Sequence, residues 1–315
     1  MLPETPRFWQ RDNWLARLLS PLSCFYYLGY LIKTRFARPY TSKIPVLCLG
    51  GVVAGGSGKT PTLHAFAHLI QKHGLYQKPV ILLRGYGGRI TAPTLVDLST
   101  HTYTDVGDEA LLHASILPTI VSADRAAGAK LAEQIEADII LMDDGLQNNS
   151  LTKTVSILVY DSQQGLGNGR LLPAGPLREP LAKALAKTSA IVQIGKDRLG
   201  SDKPVIDAKI ISTATPASGK TYLAFAGLGR PEKFKATLKE QGFRISEFVS
   251  FPDHHPYDDN DIKKLTALAE GKTLITTAKD WVRIPAFYRY GIEVLPVVLQ
   301  FNDENAALNI VKGLS

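Results

Sequence analysis

The chain has 315 residues, 45% of them apolar and 21% charged, which excludes disordered and fibrous classes and suits one large domain or, better, two. Thirty-six Lys and Arg against 29 Asp and Glu leave a formal charge of +7, favouring an anionic partner such as phosphate, nucleic acid or an acidic membrane without choosing among them. Two cysteines, Cys24 and Cys48, cannot build a disulfide framework or a Cys-rich zinc site, so a reducing compartment is the default.

Residues 1–40 form the first segment. The run 18–32 carries no charge and is flanked by Arg17 on one side and Lys33, Arg35 and Arg38 on the other. It is shorter than the roughly 20 residues of a membrane span, and Pro21 and Gly29 interrupt it. A signal peptide fits poorly, because Glu4, Arg7, Arg11, Asp12 and Arg17 come first and no small-x-small cleavage site follows. Trp9, Trp14, Phe25, Tyr26, Tyr27 and Tyr30 among basic residues have the composition of a helix lying in the membrane interface. A core helix packed on the next domain fits the same composition.

From residue 41 to 161, apolar β-rich runs at 45–50, 79–83, 119–122, 138–142 and 155–161 alternate with helical periods at 60–73 and 124–136. Such alternation predicts a parallel sheet covered by helices on both faces. A second series follows, with strands predicted at 190–194, 222–226, 272–276 and 294–298 and helices at 231–241 and 259–270. The Gly- and Pro-rich stretch 162–180 places the domain boundary at its start, giving a second α/β domain over 162–300 and a C-terminal helix over 301–315 that can return to the first domain.

The strand ending at Gly50 runs into a glycine-rich loop whose last part is Ala54, Gly55, Gly56, Ser57, Gly58, Lys59, Thr60 and Pro61, after which helical period begins. Glycines let successive N–H groups point inward around a phosphate, Lys59 would reach the β- and γ-phosphates, and the Thr60 hydroxyl would ligate Mg²⁺. Val53 stands where the usual spacing has its first glycine. The similar Ser218, Gly219, Lys220, Thr221 leads into a strand rather than a helix and reads as a turn. The buried-strand pattern Ile139, Ile140, Leu141, Met142 ends in Asp143 and Asp144, the carboxylates a second strand supplies to Mg²⁺. Gly195-Lys196-Asp197 and Ala278-Lys279-Asp280 lack the spacing of a guanine-selective N-K-x-D motif, so ATP is the expected nucleotide.

A phosphate loop alone does not choose among ATPase, GTPase and kinase. Several further islands occur in order: Arg84-Gly85-Tyr86-Gly87-Gly88, Val106-Gly107-Asp108-Glu109, Asp143-Asp144-Gly145-Leu146-Gln147, and Gly167-Asn168-Gly169 continuing to Leu172 through Glu179. Weaker ones lie at 225–231, at Asp253-His254 and at 277–280. Together with the phosphate loop, these islands resemble the tetraacyldisaccharide 4′-kinases of lipid A assembly. The resemblance implies a P-loop NTPase-like α/β/α parallel-sheet domain, a second, smaller α/β domain, and an active site in the cleft between them. It implies transfer of the γ-phosphoryl of ATP to the 4′-hydroxyl of an acylated disaccharide phosphate, at the cytoplasmic face of a Gram-negative inner membrane.

In this family an Asp of the Gly-Asp-Glu island, supported by a His, takes the proton of the sugar hydroxyl; here these would be Asp108 and His254. Glu109 would join Thr60 and Asp143 around the metal, with Asp144 either a further ligand or a holder of the attacking group's surroundings. Arg84, Tyr86, Arg125 and Arg178 are candidates for holding the disaccharide or its anionic groups, since a guanidinium fork suits phosphate. Gln147 could contact nucleotide or water. Relative to the family pattern, Gly51 replaces Asn, Asn148-Asn149-Ser150 replaces a more basic run, and Ala278 replaces Glu. No nucleic acid and no obligate protein partner is expected. The rival reading is a partner-regulated NTPase switch of the metal-chaperone type, for which two cysteines and seven histidines give little material.

Overall fold

The computed structural model describes residues 6 to 314, and among them the chain forms two compact units. The larger comprises residues up to Ile210 together with Leu299 onward, and the smaller spans Ile211–Val298.

The larger unit is built on β1 (Val46–Gly50), β2 (Pro79–Leu83), β3 (Thr94–Leu95), β4 (Thr119–Val121), β5 (Ile139–Met142), β6 (Val155–Asp161), β7 (Ala190–Ile194) and β8 (Val205–Ser212). With β13 (Val297–Phe301) they form one sheet in the order β13-β8-β7-β6-β1-β5-β2-β4-β3. β1, β2 and β4 to β8 pair in parallel, and β3 is an antiparallel strand at one edge. β1 is buried along its whole length, as its unbroken apolar run requires of a central strand covered on both faces.

Alternate residues face opposite ways. Leu47 and Leu49 pack with Leu63, Phe66, Ala67 and Ile70 of α2 (Lys59–His73), whereas Val46 and Cys48 pack with Ala129 and Ala132 of α5 (Arg125–Gln134). At Gly128 a Cβ would lie 2.5 Å from Leu82 Cδ1, so this glycine sets how closely α5 approaches β2. The remaining helices of this unit are α1 (Trp14–Arg35), α3 (Tyr103–Val106), α4 (Asp108–Ala114), α6 (Leu181–Ala186) and α10 (Glu304–Lys312). α10 starts at a cap in which Asp303 accepts from the Asn305 and Ala306 amides, and its Ala307, Leu308 and Val311 join the α2 face of the core.

The smaller unit carries a four-stranded parallel sheet ordered β10-β9-β11-β12, from β9 (Tyr222–Ala226), β10 (Ile245–Ser250), β11 (Thr273–Thr277) and β12 (Ile292–Leu295). Its helices are α7 (Pro231–Glu240), α8 (Asp259–Ala269) and the short α9 (Ala278–Trp281). Ser218 and Gly219 form a turn before β9, and Lys220 pairs with Glu293 at 2.7 Å.

Three expectations from the sequence are corrected. The boundary at residue 162 falls inside the first sheet, because β7 and β8 extend that sheet beyond β6 and carry the larger unit to Ile210. The single strand expected at 294–298 is two, divided at Pro296: β12 belongs to the smaller sheet and β13 to the larger. Finally, α1 runs unbroken for 22 residues through Pro21 and Gly29, which makes it long and apolar enough, by length and composition, to cross a membrane.

Candidate active site

In a parallel sheet the loops that can hold a ligand emerge at the carboxyl ends of the strands. After β1, the loop 51–58 turns into α2 through Gly58 at φ 80°, a left-handed conformation that a side chain would strain. Ala54, Gly55 and Gly56 stand at its outer part, Ser57 is buried, and Lys59, Thr60 and Pro61 form the first turn of α2. The absent glycine at Val53 has a local cause. Val53 forms an antiparallel bridge with Leu177, flanked by Ala54 N donating to Pro176 O at 2.8 Å and Arg178 N donating to Val52 O at 2.8 Å. The outer arm of the loop is thus stitched to 170–178, and a buried valine fits where a free-standing loop needs glycine. Gly51 is equally constrained, since a Cβ there would sit 2.7 Å from Ser57 Oγ.

β5 delivers Asp143 and Asp144 beside this loop. Lys59 Nζ lies 3.6 Å from Asp144 Oδ1, and Arg178 Nη1 donates to Asp144 Oδ2 at 2.7 Å. Burial pushes the Asp144 carboxyl up, but Lys59 and Arg178 outweigh it and hold it below the usual carboxylate range. Asp143, 2% exposed, accepts from His113 Nε2 across 3.0 Å, and His113 Nδ1 meets His64 Nε2 at 2.9 Å. Asp143 Oδ1 is buried with no hydrogen-bond partner.

The Gly-Asp-Glu island is held against the Arg84–Gly88 loop by close backbone approach. A Cβ on Gly107, at φ 88°, would come within 2.4 Å of Tyr86 O, and one on Gly88 within 2.6 Å of Asp105 O. Asp108 opens α4, is 4% exposed, and accepts from the Glu109 amide at 2.8 Å. The negative charge of Glu109 bears on both Asp144 and Arg178, so this island shares their electrostatic environment. Arg84 and Tyr86 are exposed. Arg125 is not: it is 4% exposed, donates from Nη1 to Ser122 O at 2.5 Å, and has a buried, unpartnered Nε. Burial first, and then the neighbouring Arg84, pull its pKa down to about 10.

Gln147 Nε2 donates to Gly51 O and to Glu179 Oε1, both at 2.9 Å, tying the second strand's loop to the first. Its Oε1 is buried and unpartnered, so it has an acceptor to spare. In the smaller unit, Asp253 and His254 lie on the loop after β10, with His254 at φ 56°. That loop is anchored by Asp280, fully buried, which accepts from Gly227 N at 2.7 Å, Tyr257 Oη at 2.7 Å and Arg283 Nη2 at 2.9 Å.

The larger unit therefore brings together Lys59, Asp143, Asp144, Glu109, Gln147 and Arg178. Asp253 and His254 belong to the smaller unit, and Arg125 is buried rather than presented at the surface. Reading the sequence missed His64, His113 and Glu179 as contributors. His113 could have been found from its place four residues after Glu109 on α4, one turn along the same helix face.

A family model described as tetraacyldisaccharide-1-P 4′-kinase matches residues 15–314. Among similar proteins, a tetraacyldisaccharide 4′-kinase of Paramagnetospirillum magneticum is 45% identical over 312 residues, covering 95% of each chain. One of Methylorubrum extorquens is 46% identical over 314 residues, again covering 95% of each. Among solved structures, LpxK of Aquifex aeolicus in complex with ATP aligns with a TM-score of 0.80 at 27% identity, over 95% of this chain and 99% of that one.

Proposed function

We infer the reaction from the premise that this chain belongs to the tetraacyldisaccharide 4′-kinase family: it is an ATP-dependent kinase that phosphorylates the 4′-hydroxyl of tetraacyldisaccharide 1-phosphate in lipid A biosynthesis. The observation that carries this reading is the convergence of Lys59 and Arg178 on Asp144 beside a glycine-rich loop. Phosphoryl transfer asks for alignment and charge neutralisation more than for covalent chemistry. The loop amides and Lys59 cradle the triphosphate, and Arg178 adds a second cation within reach of the transferring group.

A magnesium ion fits the donors. Asp143 offers a buried, unpartnered Oδ1, and Thr60 stands in the first turn of α2. Among the described residues no group of three or more His, Cys, Asp or Glu is arranged to hold a metal by itself. Magnesium needs none, because it takes most of its oxygens from phosphates and water. Asp143 and Thr60 would hold it, with Asp144 and Glu109 lending negative charge from nearby, and the ion would neutralise charge on the β- and γ-phosphates. Asp108, which opens α4 beside the phosphate loop's acids, takes the proton of the attacking hydroxyl in this reading. Arg84 and Tyr86, exposed just after β2, meet the substrate's polar groups in this reading, which their exposure supports.

The acyl chains of such a substrate require access to a bilayer. Trp14, Leu18, Leu22, Phe25, Leu28 and Ile32 are all exposed and form one stripe along α1, which the exposed Phe36 continues at its C-cap. Hydrogen bonds from Ser23, Tyr26 and Tyr30 tie the other face of α1 to residues 171–179. A helix held to protein on one side and apolar on the other lies in the interface rather than spanning it. We place the enzyme on the cytoplasmic face of the inner membrane of a Gram-negative bacterium on this basis.

The test is ATP consumption by the purified chain with and without an acylated glucosamine disaccharide 1-phosphate in mixed micelles. Consumption only in its presence, with a product heavier by one phosphoryl group, is expected. Equal consumption in its absence would refute the kinase reading.

A further inference from the structure

The two faces of α1 differ in kind. Ser23, Tyr26, Tyr30 and Thr34 recur at intervals of three and four, and so share one side of the helix. The stripe from Trp14 to Phe36 lies on the opposite side. Membrane seating needs only the second. On the first, Tyr26 and Tyr30 spend their hydroxyls on Arg178 and Glu179, which adjoin the phosphate loop and Asp144.

Arg178 and Glu179 are the junction. Arg178 donates its amide to Val52 of the phosphate loop and its guanidinium to Asp144, while its carbonyl accepts from Tyr26 Oη at 3.0 Å. Glu179, wholly buried, divides its carboxylate in two. Oε1 accepts from Gln147 Nε2, which also holds Gly51 O, and Oε2 accepts from Tyr30 Oη at 3.0 Å. Lys187 Nζ neutralises Glu179 at 2.8 Å and donates to Tyr30 Oη at 3.3 Å. A buried carboxylate depends on every donor it has, because an unmet oxygen retains its full desolvation penalty. Losing a tyrosine hydroxyl therefore frees Glu179 or Arg178 to shift, and either shift moves a group that touches the phosphate loop or Asp144.

We propose that Tyr26 and Tyr30 of the membrane-facing helix are positioning residues for the nucleotide site, so that α1 both seats the enzyme and sets Arg178 and Glu179 for ATP. This deepens the kinase reading and rests on it for the identity of the site as an ATP site. An arrangement of this kind links occupancy of the bilayer to readiness for phosphoryl transfer without any long-range path, since only one or two side chains intervene.

The test uses the full chain with Tyr26→Phe, Tyr30→Phe and the double substitution, each of which keeps the aromatic surface and removes only a hydroxyl. Three quantities are read: the dissociation constant of a fluorescent ATP analogue, KM and kcat with the acylated disaccharide, and partition onto vesicles containing anionic phospholipid. The expected result is an ATP affinity weakened about three- to tenfold per hydroxyl, the size of one ordinary hydrogen bond, with vesicle partition and KM for the disaccharide unchanged. Unchanged ATP affinity in the double variant would overturn the proposal. So would a change confined to vesicle partition and disaccharide KM, which would assign the tyrosines to the membrane alone. Thermal midpoints of the single variants guard against misfolding. If the unsubstituted chain binds the ATP analogue but phosphorylates no disaccharide, the kinase reading fails, while the binding measurement still decides the role of the tyrosines.

Discussion

Charges at the site set its acids in different surroundings. Asp144 is fixed between Lys59 and Arg178 and stays ionised, so it is poorly placed to take up a proton at neutral pH. Asp143 is turned by His113 so that one oxygen remains open. Asp108, at the start of α4, is the acid proposed above as the base for the sugar hydroxyl. Replacing it by Asn keeps the shape and removes the base, so kcat should fall by about 10²- to 10⁴-fold with ATP affinity intact, measured by steady-state kinetics and nucleotide titration. A kcat within threefold of the unsubstituted enzyme would remove Asp108 from that role. The functional types at these positions were legible in the sequence, because glycine, lysine and paired aspartates at fixed offsets have few other uses. Arg125 was not: a lone arginine carries no sign of burial, and only the packing around Ser122 shows that its guanidinium turns inward.

Elements carry the site through close backbone contacts as much as through side chains. The Arg84–Gly88 loop lies against residues 105–107 with no room for a Cβ at Gly107 or Gly88. Gly107→Ala would meet Tyr86 O at 2.4 Å and would also strain a φ of 88°. A loss of about 1–3 kcal/mol in stability is expected, read from the urea midpoint, together with a lowered kcat because Asp108 is the next residue. Unchanged stability and turnover would show that this contact is not what places α4. Strands with continuous apolar runs, such as β1 and β5, were plain in the sequence. β10 and much of β8 were not, because they alternate or face solvent in part, and their residues are only half-buried. The division of β12 from β13 depends on Pro296, whose missing N–H interrupts a ladder; which sheet each half joins is settled by partners far along the chain.

At the scale of the whole molecule, the larger unit closes on itself through its last residues, with α10 returning to cover α2. Such a return, open to the C-terminal helix from the sequence, joins segments separated by most of the chain, and which face it covers is settled by packing alone. α1 is the other long-range feature: its composition was visible, but its attachment to 171–179 was not. That attachment changes how the membrane contact is best tested, since deleting α1 would also remove Tyr26 and Tyr30 from the site. Leu18→Gln, Phe25→Gln and Ile32→Gln together alter only the outward stripe. They should weaken vesicle binding about 1,000-fold, at roughly 1.5 kcal/mol per side chain withdrawn from lipid, while leaving ATP affinity unchanged. Vesicle co-sedimentation alongside nucleotide titration checks this, and undiminished sedimentation would dismiss α1 as the seat.

The most direct measurement follows the label of γ-radiolabelled ATP incubated with the full chain, magnesium and the acylated disaccharide 1-phosphate. Label recovered in the lipid fraction on the 4′-oxygen, and lost with Lys59→Ala, is the expected result. Label appearing only as free inorganic phosphate, or reaching lipid undiminished in the Lys59→Ala protein, would contradict it.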